Sequence, residues 1–130
     1  MFKLLVHLEL IRLAAKQLHY NVSGSNFYSD HLLMDRIQEE LIDFEDEIKE
    51  NYYMANGEKV PPEKEISSTT ANLLPINISM EDLQEFLMEA LNTINDLSVD
   101  SKDAAEQDLL GKISSNLANS LGLLNNRLKI

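Results

Sequence analysis

The sequence has no cysteine and no tryptophan, only four glycines and three prolines, and half as many basic residues as acidic ones. Without cysteine there can be no disulfide, no Cys-ligated zinc or iron–sulfur centre and no thiol nucleophile, a composition compatible with a reducing compartment. The 11 Lys and Arg residues form no run or tail, and 22 Asp and Glu residues leave a net charge of −11. Binding nucleic acid through phosphate neutralisation needs a basic patch, so none is expected here. Long uncharged apolar runs are missing too. The opening MFKLLVHLELIRLAA is interrupted by Lys3, His7, Glu9 and Arg12, so no stretch reaches the ~18 residues of a membrane span. It lacks a small-residue cleavage site, so it reads as a mature helix and not a signal peptide. A cytoplasmic protein with no membrane partner is expected.

What is present is 44% apolar residues in a chain of 130, enough for one domain over 1–130 with a real core. Helical spacing of Leu4, Leu5, Leu8, Ile11, Ala14, Ala15 and Leu18 predicts a helix over about 2–21, broken by Ser23 to Asn26. A second, acidic helix is predicted from Phe27 to about Asn56, with Leu33, Ile37, Leu41, Phe44, Ile48 and Tyr52 as its apolar stripe. All three prolines and a Ser-Ser-Thr-Thr run fall between Gly57 and Ser79, which reads as a long connection with room for a short helical turn. Ser79 with Asp82 resembles a capping box and starts a third helix carrying Leu83, Phe86, Leu87, Ala90, Leu91, Ile94 and Leu97. A fourth, from near Ser101, follows Leu109, Leu110, Ile113, Leu117, Leu121, Leu124 and Leu128. The expected fold is all-α: a four-helix bundle with a long crossover between helices two and three.

The acidity is concentrated. Residues 30–50 hold nine acids and two bases, whereas residues 1–29 carry a net charge of +2. On a straight helix at about 100° per residue, His31, Asp35, Asp46 and Glu50 share the face opposite the apolar stripe. A solvated acidic helix would show such a face as well. His31 with Asp35, and Asp46 with Glu50, are i, i+4 pairs, a separation that lets two side chains reach one metal ion. Asp35 and Asp46 lie about 16 Å apart along the axis, so one helix cannot bring all four to one ion. A second copy can. If the helix is laid antiparallel across a two-fold axis between residues 40 and 41, His31 meets Glu50 of the mate and Asp35 meets Asp46, building two identical sites per dimer. Crowded carboxylates favour a cation among them, and mixed imidazole and carboxylate ligands suit iron, manganese or zinc. His19, at the end of the first helix, folds back toward the same cluster, while His7 is read as a plain surface or core residue. The Glu-x-x-His signature of metal sites inside a bundle is absent, which disfavours a metal in the subunit's own core.

Residues 19–50, HYNVSGSNFYSDHLLMDRIQEELIDFEDEIKE, resemble the Dps-like mini-ferritins, the DNA-binding proteins from starved cells, within the ferritin-like superfamily. His19, Tyr20, Asn21, Gly24, Asn26, Phe27, His31, Asp35, Asp46 and Glu50 fit the family pattern without a gap, and residues 108–124 look like its last helix. The resemblance implies a ferroxidase site formed by His19, His31 and Asp35 of one subunit with Asp46 and Glu50 of its two-fold mate. It also implies a homo-oligomer, from a dimer to a dodecameric cage, that oxidises Fe(II) with hydrogen peroxide or dioxygen and stores Fe(III) as mineral. Tyr20 stands where the family usually has Trp, Asn51 where it has Arg, and Gly122 where Trp is common. The family's DNA binding is not expected without a basic tail. Asp100, Asp103 and Asp108 could line a cation-attracting pore or simply serve helix starts. The competing expectation is a non-enzymatic helical-bundle binding or assembly protein whose cluster is empty or holds a structural ion.

Overall fold

The computed structural model describes residues 1–129, and about 80% of the chain is helical. There is no strand among the described residues, nor any helix long and apolar enough to cross a membrane. Helix α1 spans Phe2–Asn21, α2 Phe27–Gln38, α3 Leu41–Ile48, α4 Glu63–Leu73, α5 Met80–Asp100 and α6 Ala104–Leu128, with a π-helical segment over Lys49–Met54.

Helix α1 is the centre of the structure. All seven residues of its expected stripe are buried, and so are Val6, His7 and Leu10. A helix apolar on most of its circumference must be covered on most sides, and α1 packs against α2, α3, α4 and α5. Helix α6 closes the bundle against α5, α2 and α3, placing Leu109, Leu110, Ile113, Leu117 and Leu124 in one continuous core. Gly24 has a φ of 93°, backbone that an L side chain rarely adopts. Its carbonyl accepts from the Phe27 amide at 3.1 Å, turning the chain so that α2 folds back along α1.

Two boundaries follow local chemistry closely. The Asp82 amide donates to Ser79 Oγ and the Ser79 amide to Asp82 Oδ2, both at 3.0 Å, completing the capping box at the head of α5. Ser79→Ala is expected to cost about 1 kcal/mol of stability, read as a lower urea midpoint with an unchanged slope; no change in midpoint would refute the cap's contribution. Helix α6 starts at Ala104, three residues beyond Ser101, because Asp103 Oδ1 accepts the Ala105 amide at 2.9 Å. That makes Asp103 a helix-start carboxylate favoured by the dipole.

The expected helix over 27–56 is not continuous. The Glu39 amide bonds to the Arg36 carbonyl, three residues back, and Leu41 opens a new helix. Asp35, Glu39, Asp43 and Glu47 recur every fourth residue, so an unbroken helix would stack four like charges in one column, each neighbouring pair unfavourable by about 0.2–0.5 kcal/mol. The break falls inside that column. Further on, the Ala55 amide bonds to Glu50 O at 3.1 Å and the Glu58 amide to Tyr53 O at 2.8 Å, both i to i+5. The wider turn buries Tyr53, five residues after buried Ile48, and leaves Tyr52 partly exposed. In α2 the fully buried side is Asp30, Met34 and Ile37, with Leu33 partly buried against the core beside it. The connection after Gly57 contains α4, three turns long, whose Ile66 and Thr70 pack inward.

His7 is 6% exposed, and neither ring nitrogen has a hydrogen-bond partner. It borders a cavity of about 470 Å³ together with Lys3, Leu73, Glu89, Asn92, Thr93 and Asp96. Burial first, and Lys3 second, hold its pKa below the ordinary 6.5. The unfolded chain then binds this proton more readily, so His7 should erode stability as the pH falls below about 6.5. His7→Leu is expected to flatten that acid slope in urea melts at pH 5 to 7 by up to about 1 kcal/mol; an unchanged slope would assign it to other groups.

Candidate metal centre

The last turn of α1 carries His19 and the first turn of α2 carries His31. The Gly24 turn sets their rings face to face, with centroids 3.6 Å apart and planes at 21°. Each ring also reaches the other's backbone. His19 Nδ1 lies 2.8 Å from the His31 carbonyl oxygen, and His31 Nδ1 lies 2.7 Å from the His19 carbonyl oxygen. A carbonyl oxygen only accepts, so both Nδ1 atoms carry the proton and donate it. An imidazole protonated at Nδ1 presents its lone pair at Nε2, and a carbonyl holding Nδ1–H is the usual support behind a metal-ligating histidine. Phe27 stacks on His31 at 5.5 Å, and Tyr20 meets His19 edge-on at 5.1 Å. These contacts restrict how either ring can turn.

Asp35 lies one helical turn beyond His31, exposed, with Gln38 Nε2 donating to its Oδ1 at 3.4 Å. Asp46, in α3, and Glu50, in the π-helical segment, are exposed on the far side of the break. One chain thus brings His19 and His31 together and leaves Asp35 nearby, with Asp46 and Glu50 elsewhere. Among the described residues no three His, Cys, Asp or Glu side chains converge as a metal cage, so Asp35 does not join His19 and His31 in one group within this chain. The face is apolar in part, since Leu32 and Ile42 are half exposed on either side of the break. Because the helix is interrupted, angles taken on a straight helix do not relate His31 and Asp35 to Asp46 and Glu50.

Two acids of this stretch are not part of a solvated face. Asp30 is 3% exposed and Glu45 6%. Asp30 receives Arg127 Nε at 2.6 Å and its terminal nitrogen at 3.0 Å. Its position four residues before Met34 is the signal in the sequence, since it continues the Met34, Leu41 and Ile48 side of the helix. Glu45, next to Asp46, faces Glu9 and lies 3.9 Å from Arg12 Nε, while Arg12 forks onto Glu9. Ile42, Asp46, Lys49, Glu63, Ile66 and Ser67 complete the small cavity around these groups.

No protein-family model matches the chain.

Proposed function

We propose that the protein is a ferritin-like four-helix-bundle ferroxidase that oxidises Fe(II) at sites shared between two-fold related subunits and stores the ferric product. The observation that carries this reading is the reciprocal His19 and His31 pairing, which fixes both rings as Nδ1–H donors with their Nε2 lone pairs available. Two imidazoles and the Asp35 carboxylate of one chain, joined by Asp46 and Glu50 of the mate, would form a nitrogen and oxygen donor set suited to Fe(II), with Mn(II) or Zn(II) as competitors. The bent α2 and α3 column packed beside α1, with α5 and α6 completing the bundle and α4 within the long crossover, supports the ferritin-like topology. The spacing of residues 19–50 supports the mini-ferritin site.

In the proposed reaction two Fe(II) ions, the substrate, each give one electron to hydrogen peroxide, whose O–O bond breaks to leave two hydroxide ions. With dioxygen, two electrons and two protons yield hydrogen peroxide. His19, His31 and Asp35 hold iron from one subunit, and Asp46 and Glu50 hold it from the mate. The ferric ions hydrolyse and collect inside a closed homo-oligomer, in the cytoplasm, without DNA.

The test is stopped-flow oxidation. Protein loaded anaerobically with Fe(II) and mixed with either oxidant should develop ferric absorbance well above the protein-free rate, and light scattering should show dimers or larger species. Oxidation at the buffer rate with both oxidants, or monomers alone with iron present, would refute the proposal.

A further inference from the structure

We propose that the Asp30–Arg127 ion pair is a positioning device that docks the first turn of α2 onto the last turn of α6 and thereby holds the His31 ring in place. The first turn of α2 has little else to hold it. Its N-cap, Asn26, makes no side-chain cap hydrogen bond, and Phe27, Tyr28 and Ser29 are exposed. The residues that α2 buries are Asp30, Met34 and Ile37, so the only buried side chain of that turn is a carboxylate. It occupies the place in the stripe where a leucine would otherwise sit.

Arg127 supplies what packing does not. It comes from the far end of the chain and reaches Asp30 with two parallel N–H donors, a forked geometry that fixes direction as well as distance. Asp30 pulls the Arg127 pKa further up. His31 follows Asp30 directly. Its Nδ1–H bond to His19 O, and the return bond from His19 Nδ1 to His31 O, both require the first turn of α2 to stay seated. If that turn lifts, both bonds open together and the two Nε2 atoms lose their common orientation.

The geometry of the rings in metal-free protein does not depend on any metal; the consequence for metal affinity rests on the ferroxidase reading. The experiment therefore has two readouts. In metal-free wild-type protein, the Nδ1–H protons of His19 and His31 should give slowly exchanging NMR signals. In Arg127→Ala both should be lost to fast exchange while far-UV circular dichroism stays helical. Co(II), used as the probe ion, should bind Arg127→Ala about 10- to 100-fold more weakly, the usual penalty for losing a group that orients a ligand. Lys112→Ala, which cuts the exposed bridge from α6 to Glu47 in α3, should change neither readout. The paired substitution Asp30→Leu with Arg127→Leu replaces the ion pair by apolar contact and should restore both signals and most of the Co(II) affinity. Persistence of both Nδ1–H signals in Arg127→Ala, or their loss in a folded Leu/Leu protein, would overturn the proposal. Should Arg127→Ala fail to fold, the Leu/Leu protein decides. If His31→Ala leaves Co(II) binding untouched, the metal-site reading fails, and the NMR result still stands for or against the clamp.

Discussion

An equimolar mixture of His31→Ala and Glu50→Gln chains, refolded together, is expected to recover about one quarter of the wild-type ferroxidase rate, although each variant alone falls to the buffer rate. The expectation follows from how the shell is divided. In the proposed dimer, with its two-fold axis near residues 40 and 41, each site would take His31 from one chain and Glu50 from the other. A His31→Ala homodimer lacks the imidazole at both sites, and a Glu50→Gln homodimer lacks the carboxylate at both. In the heterodimer one site has lost both groups and the other has lost neither. Random pairing makes half the dimers mixed, and half the sites in those are whole. A site contained within one chain predicts no recovery at any mixing ratio, so stopped-flow oxidation by the mixture separates the two arrangements. Zero recovery from a mixture shown by mass spectrometry to contain heterodimers would rule out the shared site.

Glu45→Gln is expected to stabilise the metal-free protein by about 1–3 kcal/mol near pH 8 and to have little effect near pH 5. Burial, and then its contact with Glu9, push the Glu45 pKa up from 4.5 to about 9. Burial pushes Glu9 the same way, but the Arg12 fork, the hydrogen bond with Glu45 and the Lys49 charge together outweigh it and leave Glu9 below its ordinary value. The two carboxyls therefore share one proton, carried by Glu45. Between 4.5 and about 9 the folded chain holds this proton and the unfolded chain does not. The stabilisation is complete below the lower value and is lost as the pH rises through the upper one. Glutamine keeps an N–H donor toward Glu9 and removes the need for a proton, so its stability should be nearly level from pH 5 to 9. Urea melts across that range provide the measurement, and parallel curves for the two proteins would show that Glu45 is not the group responsible.

Where the packing is regular, the chain can be read directly. The α1 stripe is correct residue for residue, and the Ser79 and Asp82 box marks the start of α5 to the residue. In both, short-range spacing and long-range burial agree. The bend at Glu39 and Glu40 is harder to see, because the apolar positions on either side keep helical spacing across it and only the column of acids at every fourth residue argues for a break. The π turn hides for a related reason: Tyr52 and Tyr53 are adjacent tyrosines, and which one is buried depends on one extra residue in the turn. Asp30 is marked only by its register with Met34, and Glu45 by nothing local, since their partners, Arg127, Glu9 and Arg12, lie in other helices. For the candidate site, spacing brings His19 toward His31, and the two rings do stack, but it does not gather Asp35 with them into a three-residue group. It cannot give the tautomer of either imidazole, which depends on two carbonyl oxygens brought close by the Gly24 turn.

The burial of α1 on nearly every side also constrains how the protein is made. This helix leaves the ribosome before every helix that covers it, and α5, one of those helices, does not begin until Met80. Until residue 80 is reached, the helix with the most buried residues is exposed with part of its coat untranslated, the condition under which nascent proteins aggregate or recruit chaperones. The acids of residues 30–50, translated next and placed beside it, give the unfinished chain a strong negative charge during that interval. The same residues that crowd the mature surface with carboxylates would keep neighbouring nascent chains apart until α5 and α6 arrive.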